Sequence, residues 1–514
     1  MLTYDLEAKT YTIHDVDDST MDSTVEGYDG SYYEAHSDGI YVDGELYMSY
    51  VDCESNIDMN NLKYPYVLSV SEDRITIMGY LYDRAGNYDS EIVIKFDRLP
   101  VNPNAGKMVI NALSPVELAP DIMEGIRKYN SGDNEYFIRY RVEDIEGVAT
   151  EDLPSYMSSI SAEIMSDSGP DIIFNADSIP GIMDSDHLMD LSSDIKLDPD
   201  RYYTNISDLC KVDGKEYMIP LSFSPVGFLM DREDLGEDKT GFTYEEYMTF
   251  VARKCDNTDP LFSITNFRMY EEMLCNFTDF DYMSDGKADF DCEGFREYLD
   301  YFNEFRYHYD SMIPEHVIYS INSDEGEMVT MHSLVDLSPV SVLYRSDFNR
   351  CAMLINKYDE PVLSGLPSLD GGGPRFTVES SVSVCSLTGV KKGCLDFIGT
   401  LMKPEVMIAT TYYSLDRNVE KILISSSYKK ELYQYHKDRP EFYKQAAGKD
   451  YEVEDSRLKL HDSVIGSLSA AYMSDAYIED VVFEETVYFV AGESDADKTI
   501  KNINDRVQSY LDLW

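Results

Sequence analysis

The sequence predicts an α/β protein: an open, mostly parallel sheet preceded by a small antiparallel β-rich module. Three observations predict it. Residues 1–99 read as short strands separated by turns. A stretch rich in Pro, Asn and Gly follows at 98–106. Beyond it, strand-like and helix-like periods alternate, the signature of a parallel sheet with crossover helices.

In the first region, Gly39 to Val51 holds two strand-like runs around Asp43-Gly44. That dipeptide favours a two-residue hairpin turn, because both positions tolerate positive φ. Tyr66–Val70, Arg74–Tyr82 and Ser90–Phe96 continue the pattern, with a turn at Asp83–Asn87. Leu2–Tyr4 and Thr10–His14 read as strands at the start. The spacing is that of a meander of propeller-blade type. Two blades cannot close a ring, so the expectation is an upstream part beyond Met1 or a self-contained sheet packed on the next domain.

The second region opens with a strand at Lys107–Leu113. A helix follows over 118–130, with apolar residues at 118, 122, 123, 126 and 129. Tyr136–Val142 is a strand, Leu153–Met165 a helix with Pro154 near its start, and Gly169–Phe174 a buried strand. Ligands of open α/β sheets bind beyond the carboxyl ends of the strands. That rule nominates Ser114, Glu143, Asp144, Asn175 and Asp177.

Composition narrows the partners. Lys and Arg number 43 and Asp and Glu 97, a net charge of −54, which repels nucleic acid and anionic headgroups. Hydrophobic residues at 43%, with 42 Tyr and 21 Phe, are enough for a core, so the acidity marks a solvated surface rather than disorder. No run of 18 apolar residues suits a membrane span. The first residues form neither a basic n-region nor an apolar h-region. Either the chain is cytoplasmic or its anchor and signal lie upstream of Met1; the second is expected. The cysteines at 53, 210, 255, 275, 292, 351, 385 and 394 show no metal or redox spacing and read as buried thiols.

Five stretches carry a family resemblance. They are Lys107 to Asn130; Ser168 to Phe174 with Leu188 to Ser192; Asp213 to Pro220 with Pro225 to Met230 and Asp234-Leu235; Asp285 to Asp291; and Gly365 to Met402. The final helix, Thr499 to Leu511, adds to them. In this order the chain resembles the extracellular solute-binding proteins of ABC importers, in the branch that mostly binds carbohydrates, over roughly residues 105 to 514. The resemblance implies a two-lobe periplasmic-binding-protein-like fold of type II. It implies solute capture by hinge closure, a sugar or oligosaccharide ligand, and docking on ABC permease transmembrane subunits. The protein is then a monomer and an extracellular, membrane-anchored lipoprotein of a bacterial surface, with no enzymatic activity, cofactor or metal. The expected divisions are 1–100 for the β-rich module, 101–106 for the linker, and 107–220 and 221–375 for the first parts of lobes 1 and 2. Residues 376–420 return to lobe 1, and 421–514 form a helical part mainly in lobe 2. The chain departs from the family in its one tryptophan, Trp514, and in its first 100 residues.

A sugar cleft needs hydroxyl-binding polar groups and aromatic faces for stacking. The residues placed to supply them are Ser114, Asp144, Asn175 and Asp177, then Ser222, Phe223 and Ser224 at the crossover, Gly371, Gly372 and Gly373, and Phe376 and Glu379. The glycines would let backbone approach a ligand. Each has a plainer reading as a turn or surface-loop residue.

Other chemistry finds little support. Asp15 to Glu26 has oxygen side chains at calcium-loop positions 1, 3, 5, 9 and 12 but no glycine at position 6. GxSxG, HExxH, P-loop and GxGxxG motifs are missing. Ser426 to Lys429 matches SxxK without a companion motif, and His308 and His316 are too far apart for one helical turn. A glycosidase would need two facing carboxyl groups, and no pair is marked. The rival to solute capture is an interaction or sensor protein that keeps the two-lobe scaffold and binds a partner through the β module.

Overall fold

A computed structural model describes residues 2–5, 10–13, 24–36, 39–50, 62–82, 88–100, 104–143, 145, 148–166, 168–255, 283–284, 287–300, 340–343, 358–368, 371–424, 455–472 and 475–512. The chain divides into two compact units. One comprises residues 1–108 and 123–137, the other 109–122 and 138–514.

Up to Asp97 the first unit is antiparallel β structure; its residues 123–137 hold most of the helix Pro120–Asn130 and the start of the strand Tyr136–Val142. β1 (Leu2–Asp5) pairs with β2 (Thr10–Ile13). β3 (Val25–Glu26), β4 (Tyr32–Ala35), β5 (Gly39–Val42) and β6 (Glu45–Ser49) form a four-stranded meander. β7 (Leu62–Ser71), β8 (Arg74–Tyr82) and β9 (Tyr88–Asp97) form a three-stranded one. Asp43 and Gly44 both have positive φ, 50° and 84°, which is the two-residue turn expected between β5 and β6. Alternate residues of both sheets turn inward. Tyr33, Ala35, Ile40 and Tyr50 meet Val67, Ile75, Ile77 and Ile94 in one shared core. The turn expected at Asp83–Asn87 and most of the calcium-like stretch, residues 15–23, lie outside the described residues.

The second unit is built on a mixed sheet. β10 (Met108–Ser114), α1 (Pro120–Asn130), β11 (Tyr136–Val142), α2 (Leu153–Ile164) and β12 (Ile172–Phe174) follow the predicted alternation. The strand order is β11-β10-β12, then β18 (Arg375–Val384), β13 (Ile219–Asp231) and β16 (Val340–Leu343), and β10 and β12 are parallel. Leu113 and Ile173 share a core with Leu153, Met157, Ile160 and Ile164 of α2. Phe174 points to the other face and packs edge-on against Phe397 of α6 (Lys391–Leu401). The sheet is therefore covered on both faces at β12, whose three residues are all apolar and buried.

β13 (Ile219–Asp231) joins this sheet to a second packed body. Its 13 residues are buried except the last. Its first part pairs antiparallel with β18 (Arg375–Val384), and Ser222-Phe223 also pair with β19 (Tyr413–Ser414). Its last part pairs with β16 (Val340–Leu343) and β17 (Pro361–Ser364). β20 (Ala470–Tyr472) runs parallel to the start of β18.

Alternation along β13 supplies two cores. Val226, Phe228 and Met230 face Tyr247 and Phe250 of α5 (Tyr244–Lys254), Val481 of α9 (Ala476–Val490) and Ile503 of α10 (Ala496–Leu511). Phe223 and Leu229 face Tyr203, Phe376, Tyr413 and Ile465, the last from α8 (Asp455–Gly466). Helix ends are set locally. At α5, Thr243 Oγ1 accepts from Glu246 N at 3.3 Å while Glu246 accepts from Thr243 N at 3.1 Å, a reciprocal cap. The division expected at 220/221 falls inside β13. Of the segment expected to be helical after 421, α8 belongs to the second of these cores and α9 and α10 to the first.

Candidate functional site

The carboxyl ends of β10 and β12 lie at one edge of the sheet, since Ala112 is level with Ile172 and Leu113 with Ile173. Ser114 ends β10 there, and Asn175 and Asp177 follow β12. β18 runs antiparallel to β12, so its residues 379–381 arrive at the same edge. β13 brings Ser222 opposite Ser380.

Two buried polar networks result. In the first, Ser380 Oγ donates to Asp121 Oδ2 at 2.7 Å and lies 2.6 Å from Ser222 Oγ. Asp121 also accepts from Ile122 N at 3.0 Å in the first turn of α1, where a carboxylate suits the helix N-terminus. Burial raises the Asp121 carboxyl above the ordinary carboxylate range, and the Ser380 and backbone hydrogen bonds oppose this.

In the second network, Asn175 sits in the left-handed region (φ 48°), which an Asn tolerates better than most residues. Its side chain donates to Glu379 O at 3.1 Å, and its backbone N–H donates to Ser381 O at 3.3 Å. Asp177 Oδ1 accepts from Ser381 Oγ at 3.2 Å. Burial pushes the Asp177 carboxyl up to about 6, and repulsion from Glu379 adds to the rise. Glu379 in turn accepts from Thr377 Oγ1 at 2.7 Å.

The structure thus brings Asn175, Asp177, Ser222 and Glu379 together around Ser380-Ser381. Ser114 shares their sheet edge but turns its hydroxyl onto Val116 O at 2.6 Å. Asp144 lies outside the described residues. Its neighbour Glu143 accepts from Tyr156 OH at 2.6 Å.

The remaining nominated residues are placed elsewhere. Phe223 and Phe376 are fully buried, their rings 5.8 Å apart and edge-on. Phe223 also meets Tyr203 at 6.4 Å and Tyr413 at 5.7 Å. Its ring is enclosed by other rings and offers no open face to a solute. Ser224 is fully buried, and its Oγ has no hydrogen-bond partner among the described residues.

Gly371 to Gly373 pack against the chain itself. The carbonyl of Gly372 fills the space a Cβ would need at both Gly241 and Gly365, and Gly372 N donates to Ser368 Oγ at 3.0 Å. The close approach that glycine permits here is backbone to backbone.

Sequence reasoning missed Asp121, Ser380 and Ser381. A signal existed for each. Asp121 follows Pro120 at a helix start, and Ser380-Ser381 stand together in a strand whose Phe376, Val378, Val382 and Val384 otherwise alternate with polar residues. Among the described residues, no group of three or more His, Cys, Asp or Glu is arranged to hold a metal ion.

No protein-family model and no curated protein matches the chain. Solved structures do resemble it. The sugar-binding protein MalE from the phytopathogen Xanthomonas citri is 13% identical, with a TM-score of 0.46 over 79% of this chain and 98% of that one. An extracellular solute-binding protein family 1 from Alicyclobacillus acidocaldarius is 11% identical, with a TM-score of 0.44 over 79% and 98%. A de novo designed cysteine esterase is 12% identical, with a TM-score of 0.46 over the same shares. These similarities concern the course of the backbone and transfer neither a ligand nor a reaction.

Proposed function

We propose that this protein captures a small neutral solute, a sugar or oligosaccharide, for import. The observation that carries the reading is β13. It pairs with β18 over its first part and with β16 and β17 over its last, and the polar groups Asp121, Asn175, Asp177, Ser222, Ser380 and Ser381 gather beside the first part. Such a strand is a place where two packed bodies can turn relative to each other about a bound solute. Carboxylates, an amide and hydroxyls are the groups that bind sugar hydroxyls. The order of the sequence motifs supports the same reading. The net charge of −54 disfavours anionic solutes.

On this reading the protein works outside the cell and delivers its solute to a membrane permease. It performs no covalent chemistry. Small-angle scattering of the full chain tests it. Addition of the right oligosaccharide from a neutral panel reduces the radius of gyration, as closure requires, and amino acids leave it unchanged. A radius unchanged across the panel, with no heat of binding in calorimetry, would refute solute capture and favour the interaction protein.

A further inference from the structure

We infer that Glu420 and His461 form a pH-read latch that holds β19 on the crossover strand β13. The geometry is specific. β19 pairs with β13 at the two positions Ser222↔Ser414 and Phe223↔Tyr413. Glu420 Oε1 accepts from Ser414 N, and the His461 ring stacks on Tyr413 at 5.2 Å and 13°. One acid and one base thus grip the two residues of β19. Glu420 Oε2 lies 3.8 Å from His461 Nε2, and both side chains are almost wholly buried, at 1% and 4% exposure.

Charged and titratable neighbours surround the pair. Asp462 follows His461 on α8. Asp416 precedes Glu420, fully buried and held by Arg201 at 2.7 Å. Arg417 lies over the Tyr203 ring at 4.1 Å and 3.3 Å from Asp462, and Tyr203 OH donates to Asp462 at 2.7 Å. Tyr413 faces the imidazole directly. Arg201 is engaged by Asp416 and Arg417 by Asp462.

With one proton between them, Glu420 and His461 are neutral overall, whichever atom holds it. A second proton leaves a buried cation, and loss of the first leaves a buried anion. Each is costly at this depth. The directions agree. Burial raises Glu420 well above the ordinary carboxylate value and lowers His461 to about 4. The acid limb follows from the histidine: docking is complete above 6.5 and is lost as pH falls toward 4.

Hydrogen–deuterium exchange of the full chain, without ligand and corrected for intrinsic rates, tests the latch. The amides of residues 413–415 should be most protected at mid-range pH and exchange at least tenfold faster toward pH 4 and again on the alkaline side as Glu420 ionises, while β8 is unaffected. His461→Phe keeps the stack on Tyr413 and should lose the acid limb only. Glu420→Gln keeps the acceptor for Ser414 N and should lose the alkaline limb only. If His461→Phe does not fold, Glu420→Gln decides through its alkaline limb. The same profile in the wild type and in the folded variants, or acceleration shared by β8, would overturn the proposal.

Discussion

Ser380 Oγ donates to the Asp121 carboxylate at 2.7 Å, tying the first turn of α1 to the middle of β18 across 259 residues of sequence. Ser222 of β13 completes the contact at 2.6 Å from Ser380. A helix start, a return strand and the crossover strand therefore meet at one buried hydroxyl. Ser380→Ala leaves Asp121 and Ser222 buried with a partner gone. The expected cost is about 1–3 kcal/mol, read as a lower urea midpoint with an unchanged slope.

Asp177 gives the site a pH signature. Its carboxyl titrates near 6 in the fold against an ordinary 3.8, because burial disfavours the charge. The folded protein holds this proton more tightly than the unfolded chain. The group's stabilising share is thus fully present below about 3.8 and is lost as pH rises through 6. Above that window the ionised carboxylate costs up to about 3 kcal/mol. Asp177→Asn should therefore raise the melting temperature at pH 7.5 and change it little at pH 4.

Phe223 is predicted to matter for folding before binding. It is enclosed by Tyr203, Phe376 and Tyr413, so Phe223→Ala opens a cavity costing about 3–5 kcal/mol. Chemical denaturation measures this. A variant as stable as the wild type would mean that the ring is not packed as described.

Gly365 is predicted to reject even alanine. A Cβ there would collide with the Gly372 carbonyl, a backbone atom that cannot rotate away. Gly365→Ala should cost about 3 kcal/mol or more, at or above the upper end for overpacking. Alanine at Gly389, where the added Cβ meets nothing, is the control.

Much of the fold was legible because its signals are local. The Asp43-Gly44 turn needs only two residues with positive φ. The strands and helices from 107 to 174 each keep one hydrophobic period. The site was legible where a strand end forces it: Asn175 and Asp177 follow β12, and Ser222 sits on the crossover. The rest depends on distant pairing. Sequence cannot tell which face of β13 meets which core, so Phe223 and Phe376 read as stacking platforms when they pack on each other. It cannot show that Gly371–Gly373 serve Gly241 and Gly365. Nor can it join Asp121 to Ser380 or Glu420 to His461, because the register of β18 and β19 on β13 is set by two bulges and a long return.

The most direct measurement of the central claim is the melting temperature of the full chain with a panel of mono- and oligosaccharides, using amino acids and peptides as controls. A solute that binds only the folded state at 100 times its Kd adds about 2.7 kcal/mol. The account predicts a dose-dependent rise with one class of sugar, lost in Asp177→Ala. A cooperative transition that no sugar moves, at concentrations up to the millimolar range, would contradict it.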